Sequence, residues 1–245
     1  MRRLPFHPLV HTGSVLLLLT ACARPTLTAE LVPRSLKAIN LEETISRRDE
    51  LMLAYTLTSY DARNQPVGVV NGGWGVETVR KGQQVNLQTA RPIRLPMPRH
   101  GRIVASVVLI EVDDYGRAKE LLSQVARIHN LISVPASLLL TATEVITPIK
   151  YVTAGLTAAG VGLNVVDRLD ADDVLGQSSI ELTDTAVRRA KQSVVHVPAE
   201  FTGQHRRDSF SYQLTYDIHL NQVRLRPGRS KDSPVSAVDA PGANK

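Results

Sequence analysis

A mainly β fold, a β-sandwich carrying an α-helical insert, is predicted for this 245-residue sequence by three features. In residues 209–220, Phe210, Tyr212, Leu214, Tyr216, Ile218 and Leu220 alternate with Ser209, Ser211, Gln213, Thr215, Asp217 and His219. Successive strand side chains point to opposite faces, so this stretch has one core face and one wet face. Residues 103–112 (IVASVVLIEV) are apolar almost throughout and rich in β-branched side chains, as in a central strand covered on both faces. After Gly116 the period changes. Ala118, Leu121, Leu122, Val125, Ile128 and Ile132 recur at three- and four-residue spacing, the mark of an amphipathic helix.

The remaining elements follow in chain order. Arg2 and Arg3 precede a short apolar run, Val15 to Leu19, and small residues follow it. This is the plan of a secretory signal over 1–21, too short to span a bilayer. Residues 22–35 contain Pro25 and Pro33 and read as a tether, so the sandwich is expected over 36–223. Leu51, Leu53, Tyr55 and Leu57 alternate with Met52, Ala54, Thr56 and Thr58 in a second strand. Residues 60–68 hold turn formers, then 67–70 and the Trp74, Val76, Thr78 alternation read as strand, with Trp74 in the core. Residues 85–87 are a short strand, and Pro92, Pro96 and Pro98 mark an irregular connection. The helical insert is placed at about 116–162, with Pro135 and Pro148 as breaks. It either packs on the sheet or docks to a membrane or partner through Gly155, Gly160 and Gly162. Strand signals return at 163–166, 179–182 and 193–197. Residues 224–245 are basic, rich in Pro, Gly and Ser, and read as a disordered tail.

Composition excludes several classes. Hydrophobic residues are 43% of the chain, enough for a packed core. A single cysteine excludes an internal disulfide and any multi-cysteine zinc site. Aromatic residues are 4%, too few for a platform that stacks single-stranded nucleic acid. The formal charge is +6, part of it in the leader and tail, so no nucleic-acid partner is expected.

The lone cysteine closes the tetrapeptide Leu19-Thr20-Ala21-Cys22. This resembles the lipobox of bacterial lipoproteins. The resemblance implies a diacylglycerol on the Cys22 thiol, cleavage before it and acylation of the new amine, so that acyl chains such as palmitate anchor the protein to one leaflet. Two or three chains hold essentially permanently where one holds marginally. Ala23 stands where an aspartate would signal inner-membrane retention, which favours the outer membrane, facing the periplasm.

The densest chemistry lies at Asp167, Asp170, Asp172 and Asp173, with Asp113 and Asp114 ending the central strand. Calcium takes six to eight oxygen ligands, and two such turns at one rim could share an ion; a solvated turn without metal is the competing reading. Val165-Val166-Asp167 followed by Asp172-Asp173-Val174-Leu175-Gly176 resembles the loop of C2-type β-sandwiches, which implies that fold and calcium as the ion. No other cofactor is implied.

The catalytic scan finds no G-x-S-x-G, H-E-x-x-H, Walker A or G-x-G-x-x-G pattern. His100, His129, His196, His205 and His219 include no pair at ligand spacing on one helix. The expectation is a lipid-anchored envelope protein acting as a noncatalytic binding or assembly module for another envelope protein, a cell-wall polymer or a calcium-bridged headgroup. A hydrolase with a spatially assembled site and a structural component of an export complex are the alternatives. The calcium reading predicts that millimolar calcium raises the melting temperature and that Asp172→Asn/Asp173→Asn removes the effect; no shift in the unaltered protein sinks it.

Overall fold

The computed structural model describes residues 26–42, 47–112, 116, 174–205 and 208–223. In chain order the strands are β1 (Thr26–Asn40), β2 (Arg48–Tyr60), β3 (Pro66–Arg80), β4 (Gln84–Asn86), β5 (Ile93–Met97), β6 (Arg102–Glu111) and β7 (Val174–Thr183). A short helix α1 (Asp184–Ala190) precedes β8 (Val194–His205) and β9 (Asp208–Val223). The leader, the tail and, but for Gly116, the expected helical insert lie outside the described residues.

These strands form two antiparallel sheets. One runs β4-β1-β9-β8 with β5 also paired to β1; the other runs β3-β2-β6-β7. The mainly β sandwich expected from the sequence is therefore what the chain forms. The alternation in β9 divides as expected at most positions: Tyr212, Leu214, Tyr216 and Ile218 are fully buried and Gln213 and Thr215 are exposed, while Asp217, expected on the wet face, is buried by its partners there. They share one core cluster with Leu31 and Leu36 of β1, Leu53, Tyr55 and Leu57 of β2, and Val107 of β6. Strand β6 lies between β2 and β7 and is buried on both faces, including Val104, Val108 and Ile110, which point away from that cluster. Trp74 is buried, and its indole N–H donates to the Thr89 hydroxyl at 3.0 Å.

Three expectations need correction. The first concerns the tether: the sandwich begins at Thr26, and 26–35 are sheet. Leu27, Ala29 and Leu31 alternate into the core. Pro33 is tolerated because β5 pairs with residues 27–31 of β1 and β4 with 35–37, leaving Pro33 between them at a register shift. Second, the proline-marked connection contains β5, in which Pro96 points outward on a strand paired only with β1. Third, α1 went unanticipated. The Thr183 hydroxyl caps it by accepting from the Ala186 N–H at 3.3 Å, Asp184 sits in its first turn, and Arg188 and Arg189 in its last.

Gly176 lies inside β7, opposite Leu109, and not in a turn. A Cβ there would stand 2.4 Å from the Phe201 ring of β8, so the missing side chain lets the two sheets close at this corner. Gly176→Ala should destabilise the fold by about 1–3 kcal/mol through overpacking. In urea melts Phe201→Leu should lose less in the Gly176→Ala background than alone; strictly additive losses would contradict the contact.

Candidate functional site

The residues singled out from sequence, Cys22, Asp113, Asp114, Asp167, Asp170, Asp172 and Asp173, lie outside the described residues. Their flanks are described. Ile110 pairs with Val174, so the chain leaves β6 and re-enters β7 at the same end of the sheet. Among the described residues no group of three or more His, Cys, Asp or Glu could hold a metal ion, and no helix among them is long and apolar enough to cross a membrane.

A polar constellation absent from the sequence reading occupies the outer face of the first sheet. Strand pairing sets Val32, Asp217 and His196 in one row and Glu30 and His219 in the next. Asp217 is 7% exposed. Its two oxygens accept from the Arg34 Nε–H at 2.6 Å and from His196 Nδ1 at 2.6 Å. Arg34 Nη2 lies 3.0 Å from His219 Nε2. A guanidinium only donates, so His219 Nε2 accepts and a neutral ring carries its proton on Nδ1. The carboxylate only accepts, so His196 Nδ1 bears a proton and its Nε2 faces outward on a side chain 80% exposed. Burial works to raise the Asp217 carboxyl, but hydrogen bonds and charge from His196 and Arg34 outweigh it and hold its pKa below the ordinary 3.8.

Chemically, this is an oriented histidine with an exposed second nitrogen. On the same face, the Ser35 and Thr215 hydroxyls bond to each other at 2.8 Å. Among the described residues the His196 side chain hydrogen-bonds to Asp217 alone, and no described nucleophile is bonded to it. Alternation in β9 already set Asp217 and His219 on one face. Arg34 and His196 needed the pairing register, which joins positions up to 185 apart in sequence.

The end of the sandwich at Thr26 has its own geometry. It gathers the 61–65 turn, the 98–101 turn and α1. An open cavity of about 300 Å³ lies there, lined by Thr26, Val67, Leu95, Met97, Arg99 and Arg188 among others. Asp184, buried beside it, accepts from Arg188 Nε at 2.6 Å and from the His100 N–H at 3.1 Å, while its own N–H donates to the Gly101 carbonyl at 2.9 Å. Gly101 admits no side chain, because a Cβ would stand 2.1 Å from the Tyr60 carbonyl oxygen. The 98–101 turn and α1 are thereby fixed to each other.

No family model matches the chain, and no curated protein does. Among solved structures it is similar to CC2D1B, described as coordinating ESRCT-III activity during the mitotic reformation of the nuclear envelope. The identity is 5% and the TM-score 0.32, covering 82% of this chain and 57% of that one. A second likeness is to the Atg13 HORMA domain, at 13% identity and TM-score 0.11, covering 80% of this chain and 79% of that one. This chain thus spans little more than half the length of the first. Neither superposition is close enough to assign a fold family.

Linkage gives the Asp217 cluster a pH signature. A carboxyl with a lowered folded pKa stabilises above its unfolded pKa and loses that contribution as pH falls through the folded value. Asp217→Asn should therefore be less stable than the unaltered protein at pH 7, with the gap closing below about pH 4 in urea melts. A gap independent of pH would contradict the ion-paired carboxylate.

Proposed function

We propose that this protein is a lipid-anchored component of a bacterial cell envelope, acting as a noncatalytic binding or assembly module. Its partner is another envelope protein or a cell-wall polymer. The observation that carries the reading is the coincidence of the sole cysteine with the last position of Leu19-Thr20-Ala21-Cys22. The start of β1 at Thr26 sharpens it. Four residue steps reach at most about 14 Å, so an acylated Cys22 would hold the Thr26 end of the sandwich against the bilayer. The opposite end, with Leu41, Glu42, Arg47, the 81–83 segment, the end of β6 and the start of β7, would face away and be free to meet a partner.

The noncatalytic reading is supported by the filled core and by the position of the hydrogen-bonded His196–Asp217 pair among the described residues. Among the described residues, His196 lies on an open sheet face with a side chain 80% exposed, and none of them encloses a substrate there. A C2-type assignment of the sandwich belongs to the same proposal, resting on two antiparallel sheets of similar size and the acidic flanks of β6 and β7. The outer membrane, facing the periplasm, is the proposed address, because Ala23 follows the cysteine.

Replacing the thiol tests the anchor. In cells fed labelled palmitate, Cys22→Ser should lose the label and leave the membrane fraction unless the uncut leader retains it there. Continued labelling of the variant would refute acylation at this residue.

A further inference from the structure

We infer that the open cavity at the Thr26 end binds the headgroup of an anionic phospholipid. The cavity is about 300 Å³, at the small end for ligand sites and suited to a headgroup and its glycerol. Val67, Leu95, Met97 and Pro98 give it apolar walls, and Arg99 and Arg188 contribute cationic groups. Val67 is 43% exposed, one of only two large hydrophobic side chains so open among the described residues. Apolar walls beside guanidinium groups fit an amphipathic anion better than a bare one.

The charge around the cavity points the same way. Arg63, Arg99, Arg189 and Lys191 are exposed at this end and make no ion pair among the described residues. The carboxylates there are already engaged. Asp61 accepts from the Arg63 and Gln65 N–H groups at 2.8 Å, Glu181 pairs with Arg102 at 2.8 Å, and Asp184 pairs with Arg188 at 2.6 Å. The spare charge is positive. At the opposite end, Arg47, Arg48, Arg80 and Lys81 are balanced by Glu42, Asp49, Glu50 and Glu111. Asp184 accepts from the His100 N–H and from Arg188, so the backbone that carries Arg99 and the Arg188 side chain are both held beside one cavity. The choice of a membrane lipid over another amphipathic anion rests on the lipid-anchor reading, since Thr26 lines the cavity and Cys22 is four residues away.

The test uses the full chain carrying Cys22→Ser, in zwitterionic detergent, so that acylation is not required. It is titrated with dioctanoyl-phosphatidylglycerol, dioctanoyl-phosphatidylcholine and inorganic phosphate, following the melting temperature. Phosphatidylglycerol should raise it saturably and phosphatidylcholine should not. Arg99→Glu should weaken the effect by about ten-fold or more, the loss of one charge-assisted contact, with Arg99→Gln between. Lys81→Glu at the far end should leave it unchanged. The proposal is overturned if phosphatidylcholine acts equally, if inorganic phosphate reproduces the effect at the same concentration, or if Arg99→Glu and Lys81→Glu behave alike. Palmitate labelling of Cys22 is a separate readout, so the cavity and the anchor can fail independently.

Discussion

Strand β1 imposes the constraint on which the rest depends. It pairs with β9 over nearly its whole length and with β5 and β4 on its other side, so it cannot leave the sheet without exposing Leu27, Leu31 and Leu36. Its first residue, Thr26, lies four positions past the only cysteine. A strand this deeply built in has no slack to give. Whatever holds Cys22 therefore holds one end of a rigid sandwich, at a distance set by covalent geometry.

That rigidity divides the molecule by chemistry. The Thr26 end collects surplus arginine and lysine around an apolar cavity. The broad outer face of the first sheet carries the Asp217 cluster, in which each charge meets a partner of opposite sign or a neutral acceptor. An exposed pair of this kind contributes little stability alone; burial of Asp217 makes it matter, since a buried carboxylate must be compensated. The core between the sheets is mainly apolar, with tyrosines and with Asp49 buried beside Tyr212. The Tyr55 hydroxyl donates to the Arg91 carbonyl at 2.7 Å, and that of Tyr212 donates to the buried Asp49. Burial is the largest cause that raises both phenols above their ordinary pKa, which keeps them protonated as the hydrogen-bond donors seen here.

Sequence periodicity revealed what depends on one strand and its burial. The wet and dry faces of β9, the doubly covered β6 and the buried Trp74 were all legible that way. Proline misled the reading at 22–35 and around Pro96, because a proline's tolerance in a sheet depends on which neighbour is missing, and one sequence does not show neighbours. The alternation of Leu27, Ala29 and Leu31 stands in the sequence, but it spans only a few residues between Pro25 and Pro33. The Asp217 cluster and the cavity stayed hidden for a related reason: each joins residues through pairing register or end-to-end proximity. Helix α1 could have been found, since Thr183-Asp184 before two closing arginines is a capping pattern.

The proposed anchor has a geometric consequence: an acylated Cys22 would stand the sandwich on the membrane by its Thr26 end. Cys22 is the only native cysteine and would be blocked by its acyl chains, so Ala62→Cys and Lys81→Cys would each accept a single fluorophore. These positions lie at opposite ends of β3, which spans roughly 45–50 Å. In vesicles holding the mature protein and a headgroup-labelled energy acceptor, the label at 62 should be strongly quenched and the label at 81 only weakly. Equal quenching, or stronger quenching at 81, would contradict the orientation.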